Sequence, residues 1–481
     1  DAQILSSAST DAGNHTSTVG MWPGIVINAG GDASLTGVSI SNAKTAMMIH
    51  GTATLDSVSV STSYVGIEVD GSATIDDLTC SAIDFECVLV SGSAVLDGLV
   101  ADAVASGVVS SGDLDATNID IDNAGTGIMI SGGSGDYSNI NITAANTAIH
   151  VRGVTTATVD DVSISETNLV LDAGDSDGFV MSNVSADAGR AVRGEGVNSL
   201  TVKDSSFNGV RDGTSMVDVN TEGTFTMSNV VLRNASTALD LRGSGSHTLN
   251  LIDAEAEDLV LSATGTGVVS VVEMIGSAES QGIRISGPTF DAESVNITGG
   301  LETTLGLRIA TGTHEIEEFT FSRGYSAADT TSLGVELVWA TVECGILVVE
   351  DFANGIRADS SSLSCEDVRM NNGRTNGLEL DDSSLFISGT LSTNLFDVGA
   401  SLEDDSTLHV NSWSTNLHDD VLDISSDCTA TVRFLESGNT AGFDAIGDGT
   451  LVWGSNNTPN LAVSTNHQLT ETMIKTVDLS G

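Results

Sequence analysis

Apolar and polar positions along the chain follow a short repeating motif. A small residue is followed by an apolar residue, any residue and a second apolar residue, as at positions 24–27, 46–49, 66–69 and 127–130. The motif returns after about 20–22 residues over most of the chain, a spacing typical of solenoid repeats. It therefore predicts a stack of about 20 coils between Gly24 and Asp448.

A second pattern lies between the copies of this motif. At 53–60, 73–80 and 157–164, apolar residues alternate with Ser, Thr and Asp. Alternation with a period of two is typical of β-strands, and Gly, Asn and Asp occupy the joins, where turns favour them. No stretch keeps a helical period, so the sequence predicts short strands and almost no helix.

Short strands at a fixed step predict a β-solenoid, because each coil buries its apolar side only by stacking on its neighbours. The step is too short for four-stranded propeller blades, and the asparagine ladder of leucine-rich repeats is missing. In this repeat pattern the chain resembles the right-handed parallel β-helix proteins of the pectate-lyase-like superfamily, of the extracellular or surface type. The resemblance implies an all-β, single-stranded parallel β-helix solenoid that is right-handed and three-sided.

The repeat also sets the predicted domain boundaries. Residues 24–448 form the β-helix, residues 1–23 an N-terminal cap or assembly segment, and residues 449–481 a C-terminal cap or a link to a following region. Caps are expected because the end coils of a solenoid expose strand edges and core. The longest step, from Gly306 to Gly334, predicts a protruding loop at 322–329.

The charge balance narrows the choice of partners. With 16 Lys and Arg against 66 Asp and Glu, the formal net charge is −50. This charge repels nucleic-acid phosphates and anionic lipid heads, and no apolar run reaches the length of about 18 residues that suggests a membrane span. Strong acidity with more Arg than Lys suits a saline or marine setting. We therefore expect an extracellular or cell-surface protein that binds no nucleic acid and does not insert into a membrane.

The middle residue of each motif is expected to point outwards and to stack on its counterparts in neighbouring coils. Charges alternate along the later part of this column, which predicts a surface ladder of ion pairs formed by Arg308, Glu336, Arg357 and Glu379. The full column is expected to contain Met48, Glu68, Leu89, Val109, Met129, His150, Val170, Arg193, Asp218, Asp240, Val260, Arg284, Arg308, Glu336, Arg357 and Glu379.

The resemblance also implies an enzymatic alternative, because polysaccharide lyases and hydrolases of this superfamily work on one outer face with acidic residues and often an Arg or Lys base. The fallback catalytic set in this chain is Arg193, Asp218, Asp240 and Arg242. The superfamily's hydrolase signatures Asn-Thr-Asp, Gly-His-Gly and Arg-Ile-Lys are absent from the sequence. The sequence therefore favours a protein that is not an enzyme.

Calcium is the metal that the acidic turns favour, because it prefers oxygen ligands. The best candidate ligands are Asp172, Asp175 and Asp177, and a solvated turn is the alternative. No other cofactor is expected. The segment from His314 to Glu318 lacks a second His four residues on, so it predicts an alternating strand with an acidic outer face and not a zinc site.

Five cysteines allow two disulfides and leave one thiol. Cys344 and Cys365 are one coil apart, which is compatible with a disulfide between stacked strands. Cys80 and Cys87 flank one turn and form the second candidate pair, and buried free thiols are the alternative. Six sequons, consistent with an exported glycoprotein, occur at Asn14, Asn141, Asn183, Asn234, Asn296 and Asn456.

Two functions from different classes follow from these features. The first is a structural or adhesive surface protein, a β-helical rod that acts as a filament or surface-layer subunit or a spacer through end-to-end self-association. The alternative is a polysaccharide-active lyase or hydrolase, or a tailspike-like depolymerase, working on one outer face. Ice binding is not expected, because Thr does not repeat in two columns from coil to coil.

Overall fold

The computed structural model describes residues 2–4, 23–153, 156–210, 213–324, 329–437, 445–447, 449–453 and 474–476. Asn14, Asn456 and most of the two predicted cap segments lie outside the described residues. Within these ranges the chain is all-β, with 34 strands and no helix, and forms a parallel β-solenoid of about 18 turns. The fold class expected from the repeat is confirmed, with slightly fewer turns than predicted. No helix long and apolar enough to cross a membrane occurs in these ranges.

The chain divides into two compact units, Asp1–Ala235 and Ser236–Gly481. The strands of the first unit are β1 (Ala2–Ile4), β2 (Pro23–Ile27), β3 (Asp32–Thr36), β4 (Ser39–Ser41), β5 (Thr45–Ile49), β6 (Thr52–Ser63), β7 (Val65–Val69), β8 (Ser72–Val90), β9 (Ser93–Ser110), β10 (Asp113–Ile130), β11 (Ser134–Thr143), β12 (Thr147–Arg152), β13 (Thr156–Gly174), β14 (Phe179–Glu195), β15 (Ser199–Asn208), β16 (Ser215–Thr221) and β17 (Thr224–Gly243), whose last residues belong to the second unit.

The second unit has the same architecture. Its strands are β18 (Ser246–Gly265), β19 (Val268–Ala278), β20 (Gln281–Ser286), β21 (Thr289–Gly299), β22 (Leu305–Arg323), β23 (Leu333–Glu350), β24 (Asn354–Asp359), β25 (Ser362–Asn371), β26 (Asn376–Asp381), β27 (Ser384–Asn394), β28 (Val398–Glu403), β29 (Thr407–Asn416), β30 (Asp420–Ile424), β31 (Thr429–Ser437), β32 (Ala445–Gly447), β33 (Thr450–Trp453) and β34 (Ile474–Thr476).

Strands pair in parallel with the strands at the same place in neighbouring coils, so equivalent residues stack. Leu55 of β6 pairs with Ile75 of β8, which pairs with Leu96 of β9, and all three are fully buried. The short strand β1 is different, because it runs antiparallel along β2. The alternation seen in the sequence therefore becomes inward apolar columns and outward polar columns.

Left-handed backbone marks the corners of the coils. Asn, Asp and Gly tolerate this conformation best, and they fill most positions of one corner column at Ser57, Asp77, Gly98, Asn118, Asn139, Asp161 and Asn183. A second corner column contains residues with no such tolerance, among them Thr62, Ala82, Ala103 and Ala144. At these positions the stacked strands impose the corner against the local preference of the residue.

We expect Ala103→Gly to raise the free energy of unfolding by about 0.5–1 kcal/mol. Ala103 has a φ of 55°, a left-handed conformation in which a residue with a Cβ is strained by about 1–2 kcal/mol. The greater freedom of Gly in the unfolded chain offsets part of the relief. Ala105→Gly is the matched control. Ala105 is also exposed but is not left-handed, so the same change should destabilise by about 0.5–1 kcal/mol. Urea denaturation measures both, and effects of equal sign would contradict corner strain at Ala103.

Buried serines satisfy backbone groups at one corner of the second unit. The Ser361 N–H donates to the Ser383 hydroxyl at 3.0 Å, and the Ser383 N–H donates to the Ser406 hydroxyl at 3.1 Å. The hydroxyls of Ser361 and Ser383 donate in turn to the carbonyls of Asp359 and Asp381, each at 2.7 Å. Backbone N–H and C=O groups at this corner have no partner in the strand ladder, and buried polar groups need one. The serine hydroxyls supply these hydrogen bonds.

The loop expected at 322–329 begins and ends at an ion pair whose arginine is buried, and residues 325–328 lie outside the described ranges. The side chain of Arg323 is only 2% exposed and pairs with Asp329. A second guanidinium nitrogen of Arg323 donates to the Leu301 carbonyl at 2.5 Å, and the guanidinium lies 5.6 Å from the centre of the Phe352 ring. The longest step of the repeat is thus anchored by a charge inside the protein.

Candidate functional site

The outer face of the first unit carries a charged column on β12, β13, β14 and β16. His150 pairs in register with Asp172, Asp172 with Arg193, and Arg193 with Asp218. Outward positions of a parallel stack lie about 5 Å apart, so opposite charges at these positions can form ion pairs between coils.

The sequence placed Val170 in this column, and that position is wrong by two residues. Register pairs Ile149 with Leu171, so the outward neighbour of His150 is Asp172, while Val170 is fully buried. The same error of two residues occurs in the second unit, where the sequence predicted Val260 in the outward column. That residue is buried, and Ser262 pairs with Arg284 in the outward column.

Asp172 is the centre of the charged column. Arg193 binds its carboxylate with two nitrogens, Nε to Oδ1 at 2.9 Å and Nη2 to Oδ2 at 2.5 Å. His150 Nδ1 lies 3.0 Å from the same Oδ2. Asp172 therefore has both oxygens engaged by residues of the preceding and following coils, in the two-pronged geometry that arginine and carboxylate favour.

The pKa values in the column follow from this pairing. Burial alone would raise the pKa of Asp172, but the hydrogen bonds and the charge of Arg193, with His150, outweigh burial and hold it below its ordinary value. The hydrogen bond to Asp172 raises the pKa of Arg193. A carboxylate held ionised in this way is poorly suited to act as a general acid.

The fallback catalytic residues are each engaged with a nearby opposite charge. Arg193 binds Asp172, and Arg190 Nη1 lies 3.8 Å from Asp218 Oδ2, all within the first unit. Asp240 and Arg242 belong to the second unit, where Arg242 Nε lies 3.6 Å from Asp240 Oδ2. Ion pairing is the arrangement found at all four residues.

The predicted ladder of the second unit has the expected register. Arg308, Glu336, Arg357 and Glu379 occupy one outward column on β22, β23, β24 and β26. Arg308 Nε lies 3.2 Å from Glu336 Oε2, and Arg357 Nη2 lies 3.0 Å from Glu379 Oε2. Exposed pairs of this kind stabilise by only about 0–1 kcal/mol each, so the ladder favours correct register more than it adds stability.

The structure does not bring the candidate calcium ligands into one site. Asp172 is committed to Arg193 and His150, and Asp177 accepts a hydrogen bond from Asn198 of the next coil. Among the residues that the structure describes, no group of three or more His, Cys, Asp and Glu side chains is arranged to hold a metal. Calcium binding at Asp172, Asp175 and Asp177 therefore gains no support from the geometry.

Both candidate cysteine pairs are joined by disulfides. Cys344 pairs in register with Cys365 on the neighbouring strand, with Cα atoms 4.4 Å apart. Cys80 and Cys87 have Cα atoms 6.0 Å apart and are both buried. Cys428 has a free, buried thiol, and burial raises its pKa.

The four sequon asparagines within the described ranges, Asn141, Asn183, Asn234 and Asn296, are all exposed. Three of their side-chain amides donate across a coil step, Asn141 to Asp120 at 2.8 Å, Asn183 to Asp160 at 2.7 Å and Asn234 to Asn208 at 2.5 Å. Their use as glycosylation sites remains a prediction.

An acidic groove of about 540 Å³ crosses the outer face of the second unit. Glu315 and Glu317 of β22, Glu343 of β23 and Glu366 of β25 line it, together with the Cys344–Cys365 disulfide. The sequence predicted the alternating strand with an acidic outer face after His314, and the burial pattern of β22 confirms it. The groove itself was missed, because it combines residues from four coils.

His314 has a structural place beneath this face. It is buried, its Nδ1 accepts a hydrogen bond from the Phe290 N–H at 3.2 Å, and its Nε2 lies 2.8 Å from the Thr311 carbonyl. Burial lowers its pKa, which favours the neutral ring with a proton on Nε2. His314 is thus part of the core and not of the groove.

Comparison with known proteins adds no functional assignment. No protein-family model matches the chain, and neither the curated proteins nor the solved structures give a significant match.

Proposed function

We propose that this chain is a structural or adhesive protein of the cell surface, in which stacked β-coils form a filament or surface-layer subunit, or a spacer, by end-to-end self-association. Its acidity suits a saline extracellular setting. We place the solenoid with the right-handed parallel β-helices of the pectate-lyase-like superfamily on the same repeat pattern.

The observation that carries the proposal is how the outward charges are used. In the first unit Asp172 and Asp218 face arginines, and in the second Asp240, Glu336 and Glu379 do. Four of these five pairs connect one coil to another. Pairs that join one coil to the next favour the correct stacking register, which a rod built from many coils requires.

The first coil of the first unit supports an end-to-end contact. Among the described residues, β3 pairs only with β6. Its inward residues Ala33 and Leu35 are partly exposed, whereas the equivalent Ala53 and Leu55 of β6 are buried. A strand edge that pairs with no further described strand and has apolar residues beside it is a template for another strand, and a second copy of this chain offers strands of the same coil geometry.

Electron microscopy of the exported protein, with and without calcium and at several salt concentrations, tests this proposal. We expect ordered end-to-end filaments or a lattice. Leu35→Lys should abolish them, because an inward-pointing charge on an edge strand blocks further pairing. Ser34→Lys, which adds the same charge at the neighbouring outward position, should leave them intact.

Two results would oppose the proposal. Dispersed particles under every condition would remove self-association, and filaments of Leu35→Lys as long as those of Ser34→Lys would remove this edge as the contact. Cleavage of a polysaccharide that is lost in Asp218→Asn would instead support the enzymatic alternative.

A further inference from the structure

The Cys344–Cys365 disulfide differs from the other disulfide in its access to solvent. It forms part of the wall of the acidic groove, and Cys344 is partly exposed, while Cys365 is only 3% exposed. Cys80 and Cys87 are both at most 1% exposed. The groove therefore gives a small thiol a path towards Cys344–Cys365, whereas both cysteines of the other disulfide are fully buried.

Charge controls which thiols can reach it. The four glutamates of the groove are exposed, and among the described residues none of them forms an ion pair. A concave surface lined by one sign of charge concentrates ions of opposite sign and excludes ions of the same sign. The attacking species in thiol exchange is the thiolate, so an anionic thiol meets repulsion from the groove, whereas an ammonium on the thiol offsets it.

We propose that the groove over Cys344–Cys365 is a thiol-exchange site selective for small cationic aminothiols. The thiolate of the aminothiol attacks Sγ of the more exposed Cys344 and forms a new S–S bond with it. The Cys344–Cys365 bond breaks, its electron pair goes to Sγ of Cys365, and that thiolate takes a proton from water. The product carries the aminothiol on Cys344, with its ammonium among the glutamates.

A second aminothiol completes the reaction. Its thiolate attacks the sulfur of the bound aminothiol, the electron pair of the mixed disulfide goes to Sγ of Cys344, and that thiolate takes a proton from water. Two aminothiols are thereby oxidised to one disulfide, and Cys344 and Cys365 are reduced to two thiols. The cross-link between β23 and β25 is opened in this step, while the strand register remains held by the backbone hydrogen bonds.

The test compares cysteamine with 3-mercaptopropionate, two small thiols that differ in the sign of their charged end. Rates of opening are measured on the full folded chain by alkylation and peptide mass spectrometry, which reports both disulfides separately. Each rate is divided by the rate of the same thiol on a small uncharged disulfide, which removes differences in thiol reactivity. We expect the normalised ratio at Cys344–Cys365 to favour cysteamine by about tenfold or more at low ionic strength.

Variants at one fixed ionic strength locate the source of the selectivity. The double change Glu343→Gln and Glu366→Gln should reduce the ratio severalfold, because it removes two of the four charges of the groove. Glu403→Gln removes an exposed charge of the same unit that does not line the groove, so it should leave the ratio unchanged. High salt, about 1 M, should also lower the ratio in the unaltered chain, since the Debye length falls to about 3 Å.

Three outcomes would overturn the proposal. The first is a normalised ratio near one at low ionic strength. The second is a ratio that Glu403→Gln lowers as much as the groove variant does, which would assign the effect to the net charge of the chain. The third is opening of Cys80–Cys87 at the same rate and with the same preference for cysteamine, which would assign disulfide opening to unfolding of the chain and not to the groove.

Discussion

Asp329→Asn is expected to lower the free energy of unfolding by about 3–5 kcal/mol, the typical cost of removing one partner of a buried ion pair. Arg323 is almost completely buried and would keep its charge with no carboxylate beside it. The remaining contacts of Arg323, with the Leu301 carbonyl and the Phe352 ring, cannot supply a negative charge. Urea denaturation of the full chain measures the change.

Glu379→Gln is the matched control for this prediction. It removes a carboxylate from a pair in which Arg357 is 46% and Glu379 is 27% exposed. Water can solvate the arginine that remains, so the loss should stay below about 1 kcal/mol. If both substitutions cost the same, the burial of Arg323 would not be the source of the effect.

The same ion pair gives the protein a dependence on acid. Burial alone would raise the pKa of Asp329, but hydrogen bonds from Ser332 and Thr331 and the guanidinium of Arg323 outweigh it and hold the pKa well below its ordinary value. A carboxyl whose pKa is lower in the folded state stabilises the fold above its unfolded pKa, and this contribution is lost as the pH falls towards the folded pKa. The stability difference between the unaltered chain and Asp329→Asn should therefore shrink below the ordinary carboxyl pKa.

Trp413→Ala is expected to destabilise the second unit by about 3–5 kcal/mol, because it leaves a large cavity in a fully buried site. The indole also takes part in a buried polar network. Its Nε1 donates to the Thr393 hydroxyl at 3.0 Å, and that hydroxyl lies 3.0 Å from Nε2 of His418. Trp413→Phe, which fills most of the volume but has no donor, should cost less, about 1–3 kcal/mol.

Trp339→Ala provides the comparison for the same side chain at the surface. Trp339 is 67% exposed, so its truncation should change the free energy of unfolding by less than about 0.5 kcal/mol. Urea denaturation followed by circular dichroism measures all three variants without relying on tryptophan fluorescence. A cost at Trp339 equal to that at Trp413 would contradict the assignment of Trp413 to the core.

Periodicity was sufficient to predict the fold class and most of the outward column. In the ladder from Arg308 to Glu379, each charged residue stands between two apolar residues after a Gly, so only one phase of inward and outward positions is possible. Register then follows, because a shift by one residue would bury the charges. The alternation around Cys344 and Cys365 places the two at the same point of adjacent coils for the same reason.

At some positions the sequence pattern allows two assignments of inward and outward residues, and only the tertiary structure selects one of them. At 169–171 and 259–261 three apolar residues stand in a row, so either phase buries apolar side chains. Pairing with Ile149 and with Ile283 in the neighbouring coils selects the phase and places Asp172 and Ser262 in the outward column.

The sequence by itself determined the repeat, because burial of apolar side chains with a period of two and a fixed coil length acts through neighbours in the chain. It did not determine the buried Arg323, the serine corners or the acidic groove. Those features depend on which side chains meet across coils, and a charged or polar residue is stable in the interior only where the structure supplies its partner. Whether such a partner is present depends on stacking between coils, which joins residues about 20 or more positions apart.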